Sequence, residues 1–318
     1  MAIVTNTFQQ FQAIGVREEL SDMIYNISPV ETPFQTNAGR GKITNTFFEW
    51  QTDALATNVS TNQQIEGDDI TSFDAVTPTV RLGNYAEIAR KTVIISATLE
   101  ATDRAGRDSE IGYQIAKKGK EMKRDMETSL LHNKGANAGS SAAARKTGSL
   151  LAFLKTNINK AANGTAPVYT STPTDVWTDG TARSFTETIL KDVIQQCWTN
   201  GAEPKTVMVG ALGKQAVSGF SGVVELQSNQ GKGQATIIGA ADTYVSDFGR
   251  LSVIPNRFQR TSTAFVLDWD YLSVDFLRPF TTEQLAKTGD AEKRLLIAEY
   301  GLRCKNEKAE GCAVDLTP

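Results

Sequence analysis

Histidine is almost missing from this chain: His132 is the only one among 318 residues. A Ser-His-Asp or Cys-His arrangement would have to be built on it, and a multi-histidine metal site is excluded. Cysteine is scarce as well. Cys197, Cys304 and Cys312 are an odd count with no C-x-x-C pair, so reduced, buried thiols are expected rather than a disulfide framework. No run of about 18 apolar residues occurs, which leaves no membrane-spanning helix to expect. The opening Met-Ala-Ile-Val-Thr-Asn lacks the basic and apolar stretches of a signal peptide, so synthesis without secretion is expected. Neither sign of charge dominates: 33 basic and 36 acidic residues leave a net charge of −3. There is no global basic excess to hold a phosphate backbone.

Nucleotide-binding and catalytic motifs are absent too. Gly210-Ala-Leu-Gly213-Lys214 invites comparison with a phosphate-binding P-loop, but Met208 stands where glycine is required and Gln215 replaces the Ser or Thr that would hold magnesium. Gly231-Lys-Gly233 is followed by Gln234-Ala235-Thr236, which is not a dinucleotide fingerprint. Two acidic groups, Asp268 with Asp270 and Glu66 with Asp68 and Asp69, lie in turn-like sequence where carboxylates serve solubility. No catalytic residue, cofactor site or metal site is assigned, and that absence favours a structural protein.

What is present begins with a long amphipathic segment, Ser109 to Asn133. Ile111, Ile115, Met122, Met126 and Leu130 recur at helical spacing on one side, while Lys117, Lys118, Lys120, Glu121, Lys123, Arg124, Asp125 and Glu127 crowd the other. The spacing predicts a spine helix of about 35 to 40 Å, with His132 near its end as a cationic partner for the last carbonyls. The mixed charge of the other face reads as solvated or paired with another subunit.

Before the spine, residues 1–42 read as an extended arm with a short helix over Val16 to Tyr25, broken by Pro29 and Pro33 and punctuated by Gly39-Arg-Gly-Lys42. Its Phe8, Phe11 and Phe34 need apolar surface, on this chain or on a neighbouring copy. Ile43 to Trp50 and Thr79 to Ser96 read as strands flanking about thirty polar residues. That is a two-stranded projection, marginal alone in water, which must lean on something else.

After the spine, Gly135 to Gly148 reads as a flexible connection, and Leu150 to Ile158 as a short helix. Ser184 with Glu187 suggests a capping box for a helix ending at Asn200-Gly201. Strands are expected at Thr206–Val209, Thr236–Ile238, Leu251–Ile254, Ala264–Asp268, Leu272–Phe276 and Leu295–Cys304, with Cys312–Leu316 returning as a terminal hairpin.

This order of parts resembles the major capsid proteins of tailed double-stranded DNA bacteriophages, with the Hong Kong 97-type capsid fold. The wording of three motifs resembles one such head-protein family: Ile27-Ser-Pro-Val-Glu-Thr-Pro-Phe34; Phe48-Glu-Trp50 with Asp53 and Leu55; and Glu299-Tyr-Gly-Leu-Arg303 leading to Asn306-Glu-Lys308. The resemblance implies an α+β fold with an N-terminal arm (1–42), an extended two-stranded E-loop (43–96), and a peripheral domain with the spine helix (97–202). An axial domain (203–275) and a return to the peripheral domain (276–318) would follow. It further implies self-assembly through pentamers and hexamers into an icosahedral or prolate head shell in the host cytoplasm, enclosing DNA without sequence-specific binding. An encapsulin-like nanocompartment shell is the alternative, and an enzyme of unknown type a remote one.

Intersubunit contacts are then expected at Phe8, Phe11, Pro29, Pro33, Phe34, Phe48, Trp50, Phe73, Lys117, Lys120, Glu121 and Arg124. Some shells of this fold are cross-linked through an E-loop lysine, yet none lies between Lys42 and Lys91, so a non-covalent shell is expected. Because the arm motif begins almost at Met1, a separate scaffolding protein is expected, with portal and decoration proteins as further partners.

Overall fold

The computed structural model describes residues 31–67, 69–70, 73–102, 106, 108–220 and 242–317. Phe8, Phe11, Pro29, the helix expected at Val16–Tyr25, the strand at Thr236–Ile238 and the Gly231-Lys-Gly233 motif lie outside them.

The described chain opens with a short helix α1 (Pro33–Asn37), its proline at the N-terminal turn where a missing N–H costs nothing. Strand β1 (Gly39–Lys42) follows where punctuation was expected, and Gly41 shows why. A Cβ there would stand 2.5 Å from the Asp275 carboxylate, so glycine permits the close parallel pairing. Next come β2 (Phe47–Thr52), β3 (Val80–Tyr85) and β4 (Glu87–Ser96). The run expected as one strand from Thr79 breaks at Ala86, whose N–H donates to the Thr46 carbonyl at 2.7 Å. As a result β2 and β3 form an isolated antiparallel pair, whereas β4 leaves for a different sheet.

A short helix α2 (Ala97–Ala101) leads to the spine, α3 (Glu110–Leu131). Ser109 caps it by accepting the Gly112 N–H at 3.1 Å, and His132 is its exposed C-cap residue. The apolar stripe is buried as its spacing requires, with Met126 and Leu130 fully enclosed. Removing such side chains from water contributes about 1.5–3 kcal/mol each.

The connection expected to be flexible is instead pinned. Asn84 is buried and accepts the Gly148 N–H at 2.8 Å while donating to Thr147 at 3.0 Å and to the Leu302 carbonyl at 2.7 Å. Gly135 passes so close to the Thr174 carbonyl that a Cβ would lie 2.1 Å from it. Glycine here serves close approach, not mobility.

Beyond lie α4 (Leu150–Phe153), shorter than expected, β5 (Ile158–Asn159) and α5 (Glu187–Thr199). The Ser184–Glu187 capping box does not form: the N-cap is Thr186, with no side-chain cap bond. Glu187 is engaged instead by the Tyr244 hydroxyl at 3.0 Å and by Lys191 at 2.9 Å. Asn200 and Gly201, the latter at φ +88°, end the helix as expected.

The remaining elements are β6 (Thr206–Val209), α6 (Ala211–Ser218), β7 (Thr243–Ser246), β8 (Gly249–Pro255), β9 (Ala264–Leu267), β10 (Leu272–Gln284), β11 (Ala291–Cys304) and β12 (Gly311–Ala313). They complete two sheets. A four-stranded sheet of order β1-β10-β11-β4 carries the spine helix, and a six-stranded mixed sheet of order β5-β12-β9-β6-β8-β7 carries α5 and α6.

The expected terminal hairpin is absent. β11 pairs with β10 and β4, whereas β12 pairs with β5 and β9 in the other sheet. Asn306 explains the crossing: its side chain accepts the Lys308 N–H at 3.2 Å and caps a short 3-10 turn that carries the chain from one sheet to the other. The three cysteines are free and buried, as expected.

Candidate intersubunit surfaces

The N-terminal described segment is bolted to the spine by one carboxylate. Glu127 faces the core, not the water its neighbours in sequence suggested, and is 0% exposed. Its Oε1 accepts the Phe34 N–H at 2.7 Å and Asn256 Nδ2 at 2.8 Å. Its Oε2 accepts the Gln35 N–H and Gln35 Nε2, both at 3.0 Å. One group thus joins α1, α3 and the turn after β8. Burial pushes its pKa up, and the four donors only partly oppose this. Phe34 itself is 0% exposed and packs 5.8 Å from the Trp269 ring.

Two of the family-like motifs meet in space. Phe48 lies over Gly301, where a Cβ would approach its ring to 2.5 Å. Arg303 sits 5.6 Å from the Phe48 centroid and 5.7 Å from that of Trp50, and its Nε holds Asp275 at 2.6 Å. Glu299, also buried, accepts from Arg145 and from Arg278 Nε at 2.9 Å. Phe34 and Phe48, expected at a subunit contact, are therefore interior residues of this chain, and Trp50 is half-buried against Phe153. These rings brace the root of the projection.

The projection beyond that root is different. From Asp53 to Thr79 the described residues form no helix or strand. Leu55 is 99% and Phe73 88% exposed, and Val59, Ile65, Ile70 and Val76 are exposed with them. No basic residue occurs between Lys42 and Arg81, while Asp53, Glu66, Asp69 and Asp74 are all exposed. So many large apolar side chains open to solvent on one segment are unusual for a monomer's surface.

On the spine, Lys117, Lys120 and Lys123 are exposed, whereas Lys118, Glu121, Arg124 and Asp125 have partners within the chain. Lys118 pairs with Glu121 at 2.7 Å, which lowers the Glu121 pKa, and Lys91 pairs with Asp125 at 2.5 Å. The Arg124 guanidinium lies 5.5 Å from the Phe258 ring centroid. Pro33 is half-buried at the start of α1.

Lys214, of the P-loop-like sequence, donates to the Val253 carbonyl at 2.8 Å and to Asp242 at 3.0 Å. Asp268 is not a solubilising residue but a buried cap that accepts the Asp270 N–H at 3.2 Å. Asp270 is exposed and pairs with Lys205. Among the described residues no group of three or more His, Cys, Asp or Glu could hold a metal ion, and no helix is long and apolar enough to cross a membrane.

Sequence reasoning missed Glu127 and Asn84, both buried polar anchors. A carboxylate next to Met126 in the apolar stripe was the one available signal for the first.

Comparison with known proteins agrees with this geometry. The sequence model of a family described as SU10 major capsid protein matches residues 3–317. The major capsid protein of Escherichia phage Phieco32 is 28% identical over 346 aligned positions, covering 96% of this chain and 95% of that protein. Among solved structures, the capsid asymmetric unit of cyanophage A-1(L) superposes with a TM-score of 0.69 at 11% identity, covering 99% of this chain and 100% of that one. The SrpI encapsulin complex of Synechococcus elongatus gives a TM-score of 0.55 at 10% identity, over 94% of this chain and 92% of that one.

Proposed function

The chain belongs to the SU10 major capsid protein family, and from that premise we infer how it builds a shell. It is a phage major capsid protein with the mixed α/β Hong Kong 97-type fold, a structural component of the virion head and not an enzyme. The fold alone is shared with an encapsulin, so family membership, not architecture, separates the two readings.

The subunits assemble as pentamers and hexamers into a closed shell around double-stranded DNA. Residues 1–42 serve as the N-terminal arm, 43–96 as the E-loop with its root in β4, and 97–202 as the peripheral domain. Residues 203–275 form the axial domain, and 276–318 run back to the spine sheet before entering the axial one. The observation that carries this reading is the acidic, apolar loop 53–79, held out on the braced β2–β3 stem with Leu55 and Phe73 open to solvent. Such a loop is stabilised when a neighbouring subunit covers it. Exposed Lys117 and Lys120 belong to the same intersubunit surface. The shell is non-covalent, a separate scaffolding protein guides its assembly, and portal and decoration proteins complete it. DNA is enclosed without sequence-specific contacts, in keeping with the net charge of −3.

Light scattering on a sizing column, with electron micrographs of each peak, tests the assembly. Pentamers, hexamers or megadalton shells are expected. A compact monomer that persists with scaffold and crowding agents would overturn it.

A further inference from the structure

The subunit carries a socket and a plug of matching chemistry. The socket is a cleft of about 360 Å³ between the α1–β1 segment, α3 and β10. One wall is polar and cationic, with Thr36 from α1, Arg40 from β1 and Lys123 from α3. The other is aromatic, with the Phe276 and Phe280 rings 5.9 Å apart. Arg40 and Lys123 are exposed, and neither forms an ion pair among the described residues.

The plug is the limb of the projecting loop that descends to β3. There Phe73 and Asp74 stand side by side, an aromatic ring next to a carboxylate, both exposed. The loop carries no positive charge of its own that could pair with Asp74. Extended backbone from Val80 back to Phe73 spans about 23 Å, long enough to carry the ring onto another subunit.

We propose that Phe73 and Asp74 of one copy seat in this cleft of a neighbouring copy, the ring against Phe276 and Phe280 and the carboxylate between Arg40 and Lys123. The proposal rests on the shell reading above, and it names the surface on which the loop lands. Aromatic burial supplies the attraction and the two cations set the register, because a loop displaced along the cleft would leave Asp74 unpaired. The cationic wall also selects this plug over cationic segments of the chain.

The test is a cysteine pair, Thr36→Cys with Ala75→Cys, in the full chain, at two exposed positions that leave the Phe73 ring and the Asp74 carboxylate in place. The native cysteines are buried and stay silent. Particles are first confirmed by microscopy, then oxidised mildly and run on a non-reducing denaturing gel. A ladder of linked chains, absent from either single variant, is expected. Independently, Arg40→Glu with Lys123→Glu lowers shell yield at least fivefold, and adding Asp74→Lys restores it to within about twofold.

Normal shells without a ladder overturn the socket and leave the shell reading standing. So does a link confined to single chains, or a ladder formed only by Thr36→Cys with Phe8→Cys, which would give the cleft to residues 1–30. Failure of the unmodified chain to assemble under any condition overturns the shell reading and this one with it.

Discussion

Replacing Glu127 by alanine tests how the arm is fastened. The substitution removes the acceptor for four donors. Gln35 is half-buried, so its two groups can turn to water; the Phe34 N–H and Asn256 Nδ2 are buried and cannot. At about 1–3 kcal/mol for each stranded buried donor, the cost is about 2–6 kcal/mol. Against a typical total of about 5–15 kcal/mol, that is a large fraction. Glu127→Gln keeps one carbonyl oxygen for the two buried donors but turns an amide toward the Gln35 donors, so it should cost about 1–3 kcal/mol. Urea unfolding of the unassembled subunit, followed by tryptophan fluorescence, gives the order wild type, Gln, Ala. Trp269 reports locally because its ring contacts Phe34. Limited proteolysis should also cut faster near Phe34 in the alanine variant. A loss below about 0.5 kcal/mol with unchanged proteolysis would refute the bolt.

Other expectations follow from the same geometry. Burial raises the Glu310 pKa well above the ordinary value, with the nearby Asp268 charge adding to it and the Asp268 N–H only partly opposing. Its folded state therefore binds the proton more tightly than the unfolded one. The stability it lends is full below about pH 4.5 and is lost as pH rises through the folded pKa. Glu310→Gln should leave acid stability unchanged, raise stability at neutral pH and flatten the pH profile; an unchanged neutral value would contradict this. Gly301→Ala drives a Cβ into the Phe48 ring and should cost about 1–3 kcal/mol in denaturant unfolding. The pair Leu55→Ser and Phe73→Ser should cut shell yield severalfold while shifting subunit unfolding by less than about 0.5 kcal/mol, since both side chains are exposed before assembly. Mature particles boiled in denaturant should run as single chains; a cross-linked ladder would end the non-covalent reading.

Legibility of the sequence tracked how local each interaction is. The spine helix was plain because Ile111, Met122, Met126 and Leu130 repeat at its own period and Ser109 caps it. Strand β6 was legible residue for residue as a short apolar run. The candidate contacts were half legible: Phe73 is open to solvent, as a contact residue must be, but Phe34 and Phe48, equally aromatic, turned inward. Composition cannot tell an aromatic that braces its own root from one that waits for a neighbour.

By itself the sequence determined the class of the protein. A single histidine and the lack of an intact phosphate loop narrowed the chemistry open to it, and the order of arm, projection, spine and strands resembled a capsid subunit. Only the tertiary structure decided which strands pair. Gly39–Lys42 became a strand because its β10 partners, Ser273 to Phe276, lie 234 positions later yet alongside, and at Gly41 the facing Asp275 carboxylate leaves room only for glycine. The last strand left its neighbour in sequence because β9 and β5 offered it a buried edge. Glu127 turned inward because the donors that satisfy it come from α1 and Asn256, more than 90 residues away on either side. Long-range hydrogen bonds of this kind leave no period in the chain, so nothing short of the folded arrangement reveals them.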